Sequence, residues 1–159
     1  MTVSDSSFTG GRSDTSGDEI AGWCAKRGDS VVARDVVTDD TSKIVPLLAA
    51  HCDAGEADVV LTTGGTGLSP RDVTPEATLA VIEREAQGIA EYLRASSTGR
   101  FPRAALSRGV AGVRAATLIV NLPGSTSGVR DDLAALGQII DHAVDVLTGR
   151  VKRHDTGKA

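Results

Sequence analysis

The sequence predicts an α/β fold: a single domain built on an open, mostly parallel sheet with helices on both faces. Two apolar runs, residues 59–61 and 117–122, are short and rich in β-branched residues, which is typical of strands buried on both faces. Strand-like and helical segments alternate along the chain, and this alternation favours parallel strands joined by right-handed crossovers. The 159 residues are the size of one ordinary domain, and we predict that residues 1–150 form it.

The first strand and the first helix are predicted before residue 28. Residues 1–4 resemble the end of a strand that should be central in the sheet and buried on both faces. Residues 6–17 are polar and glycine-rich, and they predict a flexible loop. A helix is then predicted from Asp18, and Gly28 is expected to end it in the C-cap role.

A second strand and a second helix are predicted in the next segment. The valines of residues 30–37 predict the strand, and Asp40 or Thr41 is expected to cap the helix after it. Pro46 falls near the start of that helix, where it does little harm. The helix carries apolar residues at the three-to-four spacing of one buried face, namely Ile44, Val45, Leu47, Leu48 and Ala50.

Helices and strands continue to alternate after the strand at 59–61. A helix is predicted from Pro75 to about Glu85, with Leu79 and Ile82 facing inward. The remaining predicted segments are a helical stretch at 89–94, a loop at 96–101, a small and mostly apolar stretch at 104–112, the strand at 117–122, a long helix at 129–147, and a flexible charged tail at 151–159.

Composition excludes several classes of protein. The formal net charge of −4 argues against a nucleic-acid binder, which needs a basic face. The two cysteines, Cys24 and Cys52, have a spacing that fits neither a zinc pair nor a redox pair. No apolar run reaches the length of a membrane span and no signal-peptide pattern precedes the domain, so we expect a cytoplasmic protein without a membrane partner.

The segment VVLTTGGTGLSPRDVTPEAT, residues 59–78, has the layout of an anion-binding site. Thr63 closes the strand, and the glycines after it can point successive backbone amides at a ligand oxygen; these loop residues are Gly64, Gly65, Thr66 and Gly67. Arg71 and Asp72 add opposite charges. Thr74 before Pro75 then resembles an N-cap with proline at the first helical position, and Glu76 suits the first turn.

A second glycine-rich turn, PGSTSG at residues 123–128, follows the strand at 117–122. Its hydroxyls open a helix N-terminus, where anions bind readily. Because both turns sit at the carboxyl ends of strands, we expect them to share one face of the sheet. Ligands of open α/β sheets bind beyond these ends, near a topological switch point.

The ordered combination of TTGGTG, Arg71-Asp72 and Thr74-Pro75-Glu76 resembles the signature of the molybdenum-cofactor biosynthesis family, which includes molybdopterin adenylyltransferases and gephyrin-like domains. The loop is neither a Walker loop nor a dinucleotide fingerprint. Two further stretches are similar to the family, Leu106-Ser107-Arg108 and Asn121-Leu122-Pro123-Gly124-Ser125. The resemblance covers nearly the whole chain.

The resemblance implies an adenylyltransferase, which transfers AMP from MgATP to the terminal phosphate of molybdopterin. Asp72 matches the catalytic aspartate of the family and Asp39 the second one, and both are expected to hold Mg²⁺. A phosphate nucleophile is already ionised near neutral pH, so no strong general base is required. The expected substrate-binding residues are Thr63, Gly64, Gly65, Thr66, Gly67, Arg71, Ser107, Arg108, Asn121, Pro123, Gly124 and Ser125.

Plainer interpretations of the same residues remain open. Asp72 fits an ion pair with Arg71 or a helix cap, and capping alone explains Asp39, whose match to the family is ambiguous with Asp40. The main alternative function is a non-catalytic molybdopterin-binding or scaffold protein of the same fold. The resemblance also implies a homotrimer and a possible molybdenum-insertion enzyme as partner.

Overall fold

Six strands form one sheet in the computed structural model, which describes residues 1–150; the predicted tail at 151–159 lies outside them. The sheet order is β2-β1-β3-β6-β5-β4. Pairs β1–β2, β1–β3 and β3–β6 are parallel, whereas β5–β6 and β4–β5 are antiparallel. The strands are β1 (Thr2–Val3), β2 (Val36–Val37), β3 (Val59–Thr63), β4 (Arg84–Glu85), β5 (Ala111–Arg114) and β6 (Thr117–Leu122). The predicted open and mostly parallel sheet is therefore confirmed.

Helices cover both faces of this sheet, as predicted. Strand β6 shows why, because Leu118 and Val120 pack into one core cluster while Ile119 packs into the other. Every residue of β6 is buried, as expected for a strand covered on both sides. The helices are α1 (Asp5–Phe8), α2 (Thr15–Arg27), α3 (Thr41–Asp53), α4 (Thr74–Leu79), α5 (Gln87–Thr98), α6 (Thr126–Leu136) and α7 (Ile140–Leu147), with a 3-10 turn at Pro102–Leu106.

The predicted flexible loop at 6–17 is wrong. Helix α1 occupies part of it, and α2 begins at Thr15 rather than Asp18. Asp14 caps α2, since its Oδ1 accepts a hydrogen bond from the amide of Gly17 at 2.9 Å. Gly28 ends α2 with a φ of 81°, which confirms the predicted C-cap.

The second strand is shorter than predicted. Only Val36–Val37 pairs, because β1 offers just two residues to it. Of the two predicted caps for α3, the structure selects Asp40, whose side chain accepts from the amide of Ser42 at 2.8 Å.

The predicted helix from Pro75 to Glu85 is also too long. Helix α4 ends at Leu79, a residue that is 48% exposed rather than inward-facing, whereas Ile82 does pack against the core. Beyond it the chain turns into the sheet, because the amide of Glu83 donates to the carbonyl of Val113 at 2.8 Å. The edge strand β4 and its neighbour β5 were not predicted.

Two further boundaries differ from the prediction. Helix α5 runs on to Thr98, through part of the predicted loop at 96–101. The long helix predicted at 129–147 is two helices, α6 and α7, separated by residues 137–139.

Strand β1 lies inside the sheet, next to the edge strand β2 rather than at the predicted centre, and Val3 is buried as predicted. It pairs with β3 only through Thr2 and Thr63, while β3 pairs with β6 along five positions. A groove of about 750 Å³ therefore lies beside the unpaired part of β3, lined by residues 59–61 and by residues 31–36. No helix among residues 1–150 is long and apolar enough to cross a membrane.

Candidate functional site

A cavity of about 380 Å³ lies at the carboxyl ends of β1 and β3. From β1 the chain continues to β2 on one side, and from β3 it continues to β4 on the other, so this is the topological switch point of the sheet. Seven of the predicted site residues line the cavity, namely Asp39, Thr63, Gly64, Gly65, Asp72, Gly124 and Ser125. The tertiary structure thus brings together segments that are far apart in sequence.

The glycine-rich loop after β3 is shaped by positive backbone angles. Gly64 has a φ of 96° and Gly65 a φ of 63°, values that residues with a Cβ rarely adopt. A Cβ on Gly64 would stand 2.2 Å from the carbonyl oxygen of Val3, and one on Gly65 would stand 2.3 Å from Oγ1 of Thr74. The loop therefore accepts only glycine at both positions.

Thr74 holds this loop and does not cap a helix. Its hydroxyl donates to the carbonyl of Gly64 at 2.9 Å, and its amide donates to the carbonyl of Gly65 at 3.1 Å. The predicted N-cap role is wrong, because the N-cap of α4 is Val73, which makes no side-chain capping bond.

The second glycine-rich turn packs directly against the first. The hydroxyl of Thr63 donates to the carbonyl of Pro123 at 2.7 Å, and the amide of Gly64 donates to the carbonyl of Leu122 at 3.3 Å. A Cβ on Gly124 would come within 3.2 Å of Gly64 Cα. Ser125 caps α6 by accepting from the amide of Gly128, so the two predicted turns meet on one face of the sheet.

The carboxylates of Asp39 and Asp72 both face the glycine-rich loop. A Cβ on Gly65 would be 3.0 Å from Asp39 Oδ1, and a Cβ on Gly67 would be 2.8 Å from Asp72 Oδ2. Asp72 Oδ2 also accepts from the amide of Ser69 at 2.9 Å. Of the two neighbouring aspartates, Asp40 caps α3 and Asp39 lines the cavity.

Asp39 is held by Asp5, which was not among the predicted site residues. The Asp5 amide donates to Asp39 Oδ2, and the Asp39 amide donates to Asp5 Oδ1, each at 3.0 Å. Burial raises the pKa of Asp39, and the nearby charges of Asp5 and Asp72 raise it further, against the hydrogen bond from the Asp5 backbone. A cation beside Asp39 would offset this cost of ionisation.

No group of three or more histidine, cysteine, aspartate or glutamate residues within 1–150 has the arrangement of a metal site. Two carboxylates do face the cavity. That donor set fits Mg²⁺ better than zinc, since Mg²⁺ is commonly bound through one or two carboxylates together with waters and substrate phosphates.

The predicted arginines make contacts within the protein. Arg71 is paired with Asp5, with 2.6 Å between its Nη2 and Asp5 Oδ2. Arg108 donates from Nε to the carbonyl of Gly67 at 2.7 Å, and its other nitrogens contact the carbonyl of Asp72 and the carboxylate of Glu76. Neither arginine is among the residues within 1–150 that line the cavity.

The remaining predicted residues are not among the described residues that line the cavity. Asn121 is buried, and its Nδ2 donates to the hydroxyls of Thr62 and Thr78 at 2.9 Å each. Its Oδ1 accepts from the amide of Val110, so the side chain joins β6, β3, α4 and the start of β5. Thr66 accepts the Arg108 amide through its carbonyl at 2.8 Å, and Ser107 Oγ accepts from the Gly109 amide.

The opposite wall of the cavity comes from the segment predicted to be a flexible loop. Its cavity-lining residues carry hydroxyls and one cation; they are Ser7, Arg12, Ser13, Thr15 and Ser16, and Ser4 lines the cavity just before the segment. Asp14 anchors the segment, because its Oδ2 accepts from the Thr2 hydroxyl at 2.9 Å. An aspartate three residues before Gly17 is a helix-capping signal that is present in the sequence, and the prediction missed it.

The fold and the cavity together define a class of protein, the α/β proteins with glycine-rich turns at a switch point of the sheet, which is where such folds commonly bind anions. Residues 1–148 match a domain described as a probable molybdopterin binding domain. The chain therefore belongs to the molybdenum-cofactor biosynthesis family, which confirms the resemblance predicted from its motifs.

Curated relatives carry matching names. The molybdopterin adenylyltransferase of Helicobacter pylori strain J99 is 41% identical over 115 residues, which are 72% of this chain and 65% of that protein. The molybdenum cofactor synthesis protein cinnamon of Drosophila melanogaster is 36% identical over 148 residues, 92% of this chain and 25% of that protein. The aligned part thus amounts to less than two thirds of each of these relatives.

Solved structures show the same fold. The molybdopterin biosynthesis enzyme MoaB of Thermus thermophilus has a TM-score of 0.88 and 46% identity over 93% of both chains. The tungsten cofactor synthesizing protein MoaB of Pyrococcus furiosus has a TM-score of 0.83 and 31% identity over 92% of both chains.

Proposed function

We propose that this protein is a molybdopterin adenylyltransferase, which transfers AMP from MgATP to the terminal phosphate of molybdopterin. The observation that carries this proposal is the cavity at the switch point, where Asp39 and Asp72 face the glycine-rich loop. Such a site offers backbone amides and hydroxyls to phosphate oxygens and carboxylates to a metal ion. The name of the Helicobacter pylori relative supports the same activity.

The reaction needs positioning more than proton transfer. An oxygen of the molybdopterin phosphate attacks the α-phosphorus of ATP, the bond from that phosphorus to the bridging oxygen breaks, and pyrophosphate leaves. The glycine-rich turns would hold the two phosphorylated groups in line, with the hydroxyls of the opposite wall beside them. Asp39 and Asp72 would hold Mg²⁺, which neutralises charge on the phosphate oxygens when it is bound.

The proposal also covers the domain bounds, the oligomeric state, the localisation and the partner of the protein. We propose residues 1–150 as the functional domain and a homotrimer in the cytoplasm as the working form. The adenylylated product would pass to a molybdenum-insertion enzyme. The Pyrococcus furiosus relative is named for a tungsten cofactor, so the metal that the product receives is a separate question.

The direct test is to incubate the purified protein with molybdopterin and MgATP and to follow adenylylated molybdopterin by mass spectrometry. We expect the adenylylated product and pyrophosphate in equal amounts. Tight molybdopterin binding without any product would overturn the proposal in favour of the alternative, a non-catalytic molybdopterin-binding or scaffold protein.

A further inference from the structure

We infer that Arg12 is the cation of the cavity that binds a phosphate group of the substrate. This deepens the proposed function, on which the identity of the ligand rests. Arg12 was not among the predicted binding residues, and it lies in the wall that the serine-rich segment contributes.

The other two candidate arginines are already paired within the protein, whereas Arg12 lines the cavity. Arg71 is paired with Asp5, and Arg108 is paired with Glu76 and bonded to loop carbonyls. The residues that line the cavity include two carboxylates, Asp39 and Asp72, and Arg12 is their only arginine or lysine within 1–150. Arg12 makes no ion pair among these described residues, so its guanidinium is available to an anion.

The segment that carries Arg12 is anchored on both sides. The amide of Arg12 donates to the carbonyl of Ser6 at 3.2 Å, close to the N-terminal end of the segment. On its other side, Asp14 is bonded to the Thr2 hydroxyl and the Gly17 amide, and the Thr15 and Thr126 hydroxyls are 2.9 Å apart. These bonds hold the backbone at Arg12 against β1 and α6, so its guanidinium does not have to be recruited from a disordered loop.

The donor geometry of the Arg12 guanidinium indicates that the bound group is a phosphate. A guanidinium presents a planar fork of donors that matches two oxygens of one phosphate. With Arg12 on one wall and the carboxylates on another, the cavity suits a phosphate that also carries a divalent cation. Such a phosphate belongs either to the polyphosphate of ATP or to molybdopterin, and binding each ligand separately distinguishes the two sources.

The experiment measures dissociation constants of MgATP, molybdopterin and magnesium pyrophosphate by calorimetry. It compares the wild type with Arg12→Gln, Arg12→Lys and Arg84→Gln. The last is a matched control, because Arg84 is an exposed arginine on β4, at the far edge of the sheet from β1. Circular dichroism and melting temperature check that each variant is folded.

We expect Arg12→Gln to weaken at least one of these ligands by about tenfold or more, Arg12→Lys to recover part of the loss, and Arg84→Gln to bind like the wild type. The ligand that is weakened identifies the source of the phosphate. Equal binding by folded Arg12→Gln and the wild type would overturn the inference even if adenylyl transfer is found. Wild-type protein that binds none of the three ligands would overturn it as well. Arg12-dependent binding without adenylyl transfer would leave the inference standing and remove the proposed activity.

Discussion

Individual side chains in this protein separate into those that face the cavity and those that build it. Asp72 lines the cavity, and among residues 1–150 its carboxylate accepts one hydrogen bond, from the Ser69 amide to Oδ2. Asn121, by contrast, uses both ends of its amide to join strands. Substitutions of the two kinds should therefore differ, the first affecting chemistry and the second stability.

Asp72→Asn tests a side chain that faces the cavity. The amide keeps the shape of the side chain and loses the charge, so we expect adenylyl transfer to fall by about a hundredfold or more while molybdopterin affinity changes little. Turnover and the dissociation constant would be measured on the same preparation. Asp53→Asn, an exposed carboxylate paired with Arg114, is the control. Turnover of Asp72→Asn within a few-fold of the wild type would remove Asp72 from the catalytic set.

Asp132 predicts a pH dependence of stability. It is 9% exposed, Ser97 Oγ donates to it at 2.8 Å, and burial raises its pKa to about 6 from 3.8. The folded state therefore holds this proton more tightly than the unfolded state. Its contribution to stability is greatest below about pH 3.8, falls as the pH rises, and reaches its lower plateau above about pH 6.

Asp132→Asn should remove this dependence, because the amide is neutral at every pH and keeps an oxygen for Ser97. We expect the variant to gain about 1–3 kcal/mol over the wild type at pH 8 and little at pH 4. Urea unfolding at several pH values measures the difference. A variant that is less stable than the wild type at pH 8 would contradict the interpretation.

At the scale of an element, the glycine-rich loop owes its shape to backbone contacts that exclude a side chain. The carbonyls of Gly64 and Gly65 are both bound by Thr74, and Arg108 is bound to the carbonyls of Gly67 and Asp72. The loop is thus held from α4 on one side and from Arg108 on the other. Its flexibility as a glycine-rich sequence does not carry over into the fold.

Gly64→Ala should therefore destabilise the protein strongly. The new Cβ would meet the Val3 carbonyl at 2.2 Å with φ at 96°, so we expect a loss of about 3 kcal/mol or more in the free energy of unfolding. Gly88→Ala is the matched control, because its Cβ would meet nothing within 4 Å in helix α5. That variant should be neutral or stabilised by about 0.5–1 kcal/mol. Similar losses for both variants would show that the close contact at Gly64 is not limiting.

Arg108→Lys tests the support of the loop. Lysine donates from a single nitrogen and lacks the planar fork by which three nitrogens of Arg108 reach two carbonyls and Glu76. We therefore expect turnover to fall more than molybdopterin affinity, because Asp72 would be misplaced. The ratio of kcat to KM and the dissociation constant of molybdopterin separate these effects. A loss of molybdopterin affinity alone, of about 1–2 kcal/mol, would instead indicate the phosphate contact predicted from the sequence.

At the scale of the whole molecule, strand pairing in the sheet is uneven on the two sides of β3. Strand β3 has a full partner in β6 and a one-position partner in β1, and the groove beside it exposes backbone and apolar side chains. The amino group of Met1 donates to the Leu61 carbonyl at 2.9 Å, and burial lowers its pKa.

Adding four apolar β-forming residues, such as Ala-Val-Val-Val, in front of Met1 should fill this groove and raise the melting temperature. Burial of three valines contributes about 4.5–9 kcal/mol against about 4–8 kcal/mol for ordering four residues, and new ladder hydrogen bonds to β3 add to the gain, so we expect a rise of a few degrees. The control is a Gly-Ser-Gly-Ser extension, which removes the same amino group from Leu61 without filling the groove. Equal melting temperatures for both extensions would contradict the expectation.

The strands at 59–63 and 117–122 and the position of the glycine-rich turns were predictable from the sequence. The physical reason is that apolar runs and glycines report local burial and backbone freedom directly. The edge strand β4 and its neighbour β5 were not predictable, since Arg84–Glu85 carries no apolar signal and forms a strand only because β5 offers it a partner. The helix break at 137–139 was missed because the apolar spacing continues across it.

The sequence by itself determined the fold class, the family and the residues of the glycine-rich loop, because those depend on local patterns and on a contiguous motif. Only the tertiary structure decided that Asp39 rather than Asp40 faces the cavity, that Arg108 supports the loop, and that Arg12 lies in the wall. These are properties of residues that are far apart in sequence and meet only at the switch point of the sheet. Spacing along the chain carries no information about such meetings, since strand order, and not sequence distance, sets which carboxyl ends are neighbours.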